Sequence, residues 1–131
     1  MTEKAVYFDS SKCTACKGCQ VACKTWNNLP SPLGTNEAKW SGTHQNPADL
    51  NGDTRLIITF NELEGDSKIK PVKWAFGRRA CQHCTDAPCA LVCPGVAHVR
   101  TEETGFEEVY QVKCVGCQYC LSACPSDVPR Y

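Results

Sequence analysis

Twelve cysteines stand in three groups of four: Cys13, Cys16, Cys19 and Cys23; Cys81, Cys84, Cys89 and Cys93; Cys114, Cys117, Cys120 and Cys124. Each quartet opens with C-x-x-C and closes with a cysteine four residues after the third. Two thiolates separated by two residues can turn toward one metal centre, whereas the closing cysteine lies one helical turn further on and faces elsewhere. The closing cysteine of a quartet is therefore expected to serve a different centre from the first three. Four soft thiolates around a compact cube, on loops that limit water, are what a 4Fe-4S cluster requires. The chemistry predicted is electron transfer through iron bound by these cysteines. It needs no general base or nucleophile, so no catalytic residue is assigned.

In the two-cluster arrangement, Cys81, Cys84 and Cys89 share one 4Fe-4S cluster with Cys124, while Cys114, Cys117 and Cys120 share another with Cys93. Such crossed ligation holds two clusters close enough for rapid electron transfer. Cys13, Cys16, Cys19 and Cys23 are candidates for a third cluster. Structural zinc usually combines two C-x-x-C pairs over a longer spacing, and Cys93-Pro94 and Cys124-Pro125 favour iron-sulfur over it. Disulfides suit a secreted protein, and a thioredoxin-type C-x-x-C would occur once beside a βαβ pattern. Gly18 and Gly116 are expected to let the backbone pass close to the cluster sulfides and offer N–H groups to them. His83, inside the second quartet, reads as a neighbour of the ligands or a surface residue. His44 and His98 read as incidental, and Trp26, Trp40 and Trp74 as packing residues.

Short elements must position these loops. Residues 5–9 form a strand candidate leading into the first quartet, and residues 20–27 a short helix. Residues 29–53 carry several prolines and glycines and are expected to be irregular surface structure with a role such as docking. Residues 55–60 give the strongest strand signal, with 72–76 as a hairpin partner across a turn at Gly65-Asp66. From Cys81 the chain repeats itself: cysteine loop, short helix, Cys-Pro, then strands 96–100 and 106–110 around Glu102-Glu103-Thr104-Gly105, and a second loop, helix and Cys-Pro. The reading is α+β: a ferredoxin-like poly-cluster fold of short helices, short antiparallel hairpins and long loops. It comprises a single electron-transfer domain over 1–131, with the first motif at 1–28, an insert with the hairpin at 29–80 and a two-cluster module at 81–131.

At 131 residues the chain suits one domain, and its cysteine content is near the level where small chains depend on metals for stability. Fourteen basic residues balance fourteen acidic ones, which removes any general argument for nucleic-acid binding. The longest aliphatic runs, Leu56-Ile57-Ile58 and Ala90-Leu91-Val92, are too short to cross a bilayer. No export signal is read at Met1 to Val6, so the expectation is a cytoplasmic protein, or a periplasmic one carried out by a signal-bearing partner.

Cys13-Thr14-Ala15-Cys16-Lys17-Gly18-Cys19-Gln20-Val21-Ala22-Cys23-Lys24, Cys81-Gln82-His83-Cys84 through Pro88-Cys89, and Ala123-Cys124-Pro125-Ser126-Asp127-Val128-Pro129-Arg130-Tyr131 resemble the electron-transfer β subunits of molybdenum and tungsten pterin oxidoreductases. The stretch from Gly42 to Leu50 is most similar to the insert of formate dehydrogenase β subunits. The resemblance implies a non-catalytic subunit carrying electrons from a molybdenum or tungsten pterin catalytic subunit to a further redox subunit or carrier. Similar subunits accompany tungsten aldehyde oxidoreductases and benzoyl-CoA reductases, and a free-standing soluble polyferredoxin is the remaining alternative. That family has four quartets and four clusters, its first cluster being completed by a cysteine of the fourth quartet. The sequence stops after the third quartet, so it is expected to be a fragment, to close its third cluster with Cys23, or to take ligands from a partner.

Overall fold

The computed structural model describes residues 4–30 and 43–130. They fall into two compact units, one of residues 4–7 with 81–130 and one of residues 8–80. Trp40 and the expected irregular run over 31–42 lie outside the described residues.

In the unit of residues 8–80 the main elements are α1 (Gly18–Trp26), β1 (Ile57–Ser67) and β2 (Lys70–Arg79). The two strands pair antiparallel with Phe60 opposite Phe76 and Ile58 opposite Arg78. β-branched and aromatic residues at 57–60 and 72–76 favour a pleated, half-buried surface, which explains the hairpin. The turn lies at Lys68-Ile69, not at Gly65-Asp66. Gly65 is instead a strand residue beside a register shift between Glu64 and Ser67, where any Cβ would overlap the Lys70 carbonyl oxygen of the partner strand. The hydrocarbon core of this unit is Leu50, Leu56, Ile57, Ile58 and Ala80, with Thr54 fully buried among them. Phe60, Phe76, Trp74 and His44 form an aromatic group, with Phe60 edge-on to Phe76 at 5.3 Å and Trp74 stacked beside Phe76 at 6.1 Å. His44 packs edge-on to Trp74 at 5.6 Å, so it is not incidental. Trp26 is 88% exposed and does not pack in a core as expected.

The other unit holds α2 (Pro88–Leu91), β3 (His98–Arg100), β4 (Glu107–Val109) and α3 (Tyr119–Ala123). β3 and β4 pair antiparallel with His98 opposite Val109 and Arg100 opposite Glu107. Pro88 opens α2, where its missing N–H costs nothing, and the two helices each end just before a Cys-Pro. The expected strand at 5–9 does not form: among the described residues no strand pairs with it, and the bond from Lys4 N–H to the Thr104 carbonyl at 3.4 Å lies just before it. The buried apolar side chains among the described residues of this unit are Ala87 and Ala97. Two methyl groups cannot stabilise a unit of this length, so its interior must be built from something other than hydrocarbon. No helix of the described residues is long and apolar enough to cross a membrane.

Candidate metal centres

The backbone of the cysteine loops is left-handed at equivalent points. The residue just before the second cysteine of each quartet has positive φ: Ala15 at 56°, His83 at 50° and Gly116 at 72°. So does the residue just after that cysteine in the first and third quartets, Lys17 at 59° and Gln118 at 63°. Val96 and Asp127, each three residues beyond a closing cysteine, both stand at 47°. Alternating right- and left-handed residues turn successive N–H groups to one side and create a concavity that favours anions, as at phosphate and iron-sulfur sites. The N–H groups of Ala15 and His83 accordingly point at the sulfurs of Cys13 and Cys81, both at 3.4 Å. Gly18 is the first residue of α1, and a Cβ built on it would lie 3.6 Å from the Cys16 sulfur, so its backbone passes close to that thiol.

In the second and third quartets the closing turns are also alike. Val96 N–H donates to the Cys93 carbonyl at 3.2 Å and Asp127 N–H to the Cys124 carbonyl at 3.1 Å, so the sequence repeat is a structural one. Ala97 N–H donates to the Cys93 sulfur at 3.3 Å.

Cys84 and Cys124 lie close enough to act on the Cys81 thiol, and Cys81 and Cys124 close enough to act on Cys89. Burial first, then the neighbouring Cys84, Cys124 and Glu107 charges, push the Cys81 thiol above the ordinary thiol range, against the His83 N–H bond that lowers it. Burial likewise raises Cys89, with Glu107, Cys81 and Cys124 adding to it. In the third quartet burial raises Cys120, with Cys117 and Cys114 adding to it. Cys93 behaves differently, held below the usual range first by the Ala97 N–H and then by further backbone N–H groups of residues 95–98. Gly95, two residues after Cys93, sits so close to the Lys113 carbonyl that an added Cβ would lie 2.4 Å from its oxygen, which brings the Cys93 turn against the start of the third quartet. Converging thiols that oppose each other's ionisation fit a cationic iron-sulfide core, which removes that repulsion and fills an interior with almost no hydrocarbon.

Cys13, Cys16, Cys19 and Cys23 occupy the loop before α1 and the helix itself, with Cys16 and Cys19 exposed and the other two half-buried. Asp9 shapes the approach: Ser11 donates its hydroxyl at 2.6 Å and its N–H at 2.9 Å to the carboxylate, which holds Asp9 below the usual carboxylate range. The helix is anchored along one side. Lys17 reaches the His44 carbonyl at 2.6 Å and lies over the Phe60 ring, and the buried Gln20 donates to the Asn46 carbonyl at 2.8 Å. Lys24 bonds the Asp53 carbonyl and, at 3.1 Å, the Thr54 hydroxyl. The described part of the 29–53 stretch that follows residue 42, with Thr54, thus braces the first quartet.

Arg100 escaped the sequence reading. It donates to the carbonyls of His83 at 3.1 Å and Cys84 at 2.7 Å, fastening the second-quartet loop to β3. His83 is itself a brace: its Nδ1 accepts the Glu107 N–H at 3.0 Å, and its ring packs on Phe106 at 4.7 Å. His98 is not incidental, since one ligand atom each of Cys89, His98 and Glu107 lie within 4.8 Å of one another. The period-two alternation that places His98 and Arg100 on one strand face was the available signal; which loop that face meets was not.

These loops, thiols and braces define an iron-sulfur protein, and residues 72–131 match the model of the 4Fe-4S dicluster domain family. Its cofactors are 4Fe-4S clusters, more than one per chain. Across 98% of its length the chain is 34% identical to the formate dehydrogenase-O iron-sulfur subunit of Escherichia coli K12, of which it spans 40%. It is 36% identical over 97% of its length to formate dehydrogenase 2 subunit beta (cytochrome c-553) of Nitratidesulfovibrio vulgaris, spanning 58% of that protein. Protein NrfC of Escherichia coli K12 is 37% identical over 89% of the chain, which spans 43% of it. The chain therefore covers about two fifths to three fifths of the length of these relatives.

Proposed function

We propose that the chain is a non-catalytic electron-transfer subunit with a ferredoxin-like poly-cluster fold. It relays electrons from a molybdenum or tungsten pterin catalytic subunit of the formate dehydrogenase kind to another redox carrier. The observation that carries this reading is the convergence of Cys81, Cys84 and Cys89 with Cys124 from the far end of the same unit. In it, Cys81, Cys84, Cys89 and Cys124 hold one cluster, Cys114, Cys117, Cys120 and Cys93 a second, and Cys13, Cys16, Cys19 and Cys23 a third.

A bound 4Fe-4S cluster takes up and returns single electrons, with its potential set by charge, hydrogen bonding and solvent around it. The chain's own residues do the rest. The left-handed turns aim N–H groups at the ligand sulfurs, and Arg100 and His83 fix the second-quartet loop against β3 and β4. Rigid first neighbours limit reorganisation when charge moves, which favours fast transfer.

Anaerobic purification with iron and sulfide analysis tests the reading. Three cubes require about twelve irons per chain and two require about eight. Zinc without iron ends it. A pterin-bearing chain with molybdenum or tungsten that co-purifies supports the subunit role, whereas a fully loaded chain running alone in gel filtration replaces it with a free-standing polyferredoxin.

A further inference from the structure

The β3–β4 hairpin does more than brace a loop. His98 and Glu107 turn side chains toward Cys89 from neighbouring strands, with one ligand atom of each of the three residues within 4.8 Å of the others. His98 Nδ1 and Glu107 Oε2 are buried and make no hydrogen bond. A buried carboxylate oxygen or imidazole nitrogen without a partner is destabilising unless its charge or dipole serves something close by. What lies close by is a cysteine of the second quartet. Among the described residues no other cluster of metal-ligating side chains outside the quartets gathers in this way.

The two halves of the repeat are therefore not electrostatically equal. Glu107 adds negative charge beside Cys81 and Cys89. Cys93 receives the Ala97 N–H at 3.3 Å with further N–H groups of the same turn directed at it and no carboxylate among the groups acting on its thiol, whereas Cys81 has the His83 N–H at 3.4 Å together with the Glu107 charge. Each addition of an electron makes a cluster more negative, so a fixed carboxylate opposes reduction while N–H donors to the sulfur favour it.

We infer that Glu107, seated with His98 against Cys89, sets the cluster held by Cys81, Cys84, Cys89 and Cys124 at a lower potential than the one held by Cys93, Cys114, Cys117 and Cys120. This fixes the order in which the pair fills. The first electron settles at the Cys93 site and the second at the Cys89 site. Glu107 is a tuning residue that acts through the ligands. The inference rests on the cluster assignment proposed above.

The test is an anaerobic redox titration of the full, cluster-loaded chain followed by electron paramagnetic resonance, for the unaltered protein and Glu107→Gln. The expected result is an upward shift of one potential, the lower of the pair, with the others in place and iron content unchanged. The signal that moves should be the one altered in Cys81→Ser. Glu108→Gln, at the neighbouring position of the same strand and pointing to the opposite face, should move none. If Glu107→Gln loads poorly, Glu107→Asp keeps the charge on a shorter stem and should shift the same potential by a smaller amount. Full iron content with unmoved potentials in Glu107→Gln, or an equal shift of every potential, overturns the inference while leaving the cluster assignment standing. Failure of the unaltered chain to bind iron overturns the assignment itself.

Discussion

The α-carbon of Gly95 faces the carbonyl of Lys113 so closely that a methyl group there would sit 2.4 Å from the oxygen. That approach ties the turn after Cys93 to the residue preceding Cys114. The obstacle is backbone on both sides, so neither can yield by a rotamer change. Gly95→Ala is expected to destabilise the unit by about 1–3 kcal/mol, the usual cost of overpacking. Because the displaced turn carries Cys93, iron content should fall by about four per chain, one cube's worth. Iron analysis beside thermal unfolding checks both, and a variant with full iron and unchanged stability would remove this contact from the design of the site.

Arg100 offers a second handle on the same unit. Its two bonds to the His83 and Cys84 carbonyls are charge-assisted and partly buried. Losing such a bond costs about 1.5–3 kcal/mol, and the carbonyls it leaves add their own desolvation. Arg100→Met should therefore speed cluster loss under a chelator at the second quartet and lower the unfolding temperature. Arg100→Lys should recover only part of it, since both bonds leave one guanidinium nitrogen, Nη1, which the more strongly hydrated ammonium of lysine replaces less well in a half-buried place.

Much of this was readable from the residues. Soft thiolates at fixed spacing announced the clusters, and the β-branched and aromatic residues at 57–60 and 72–76 announced the hairpin. The turn was misplaced because a glycine-aspartate pair is a strong turn signal, whereas here Gly65 serves close contact with the Lys70 carbonyl. The strand expected at 5–9 had the right local composition but no paired strand among the described residues, and strand formation is decided by pairing. Six left-handed positions in and just after the cysteine loops, Ala15, Lys17, His83, Val96, Gln118 and Asp127, gave no signal, because that conformation is ordinarily glycine's. The meeting of His98 and Glu107 with Cys89 depends on strand register and on which loop the hairpin covers, neither of which is local.

Lys24 predicts how the first quartet can be loosened alone. Its ammonium joins α1 to the Asp53 carbonyl and to Thr54, whose side chain is fully buried. Lys24→Met keeps the stem and leaves those oxygens unpaired, at about 1–3 kcal/mol. The iron bound by Cys13, Cys16, Cys19 and Cys23 should become labile while that of the 81–130 unit stays. Lys12→Met is the control, since the Lys12 side chain is 85% exposed and its pairing with Asp9 is 4.0 Å long.

Asp9 carries a pH signature. Its carboxyl is held below the ordinary value first by the Ser11 hydroxyl and then by the Ser11 N–H. A depressed folded value means that the contribution to stability is complete above the unfolded aspartate value and is lost as pH falls through the folded one. The Ser11 amide resonance should thus titrate below the ordinary aspartate midpoint, and Asp9→Asn should abolish that step. A midpoint at or above the ordinary value would contradict the turn.

Removal of iron should act unequally on the two units. In residues 81–130 the buried apolar side chains are two alanines, so chelation takes away most of what holds that unit folded. In residues 8–80 the strands β1 and β2 rest on Leu50, Leu56, Ile57 and Ile58, which remain when metal leaves. Hydrogen exchange on the chelated chain is expected to show amides of His98–Arg100 and Glu107–Val109 exchanging at unfolded rates. Those of residues 57–60 and 76–79 should keep measurable protection. Protection retained equally in both hairpins would mean that β3 and β4 fold without the clusters, and the metal-dependent core argued for that unit would have to be abandoned.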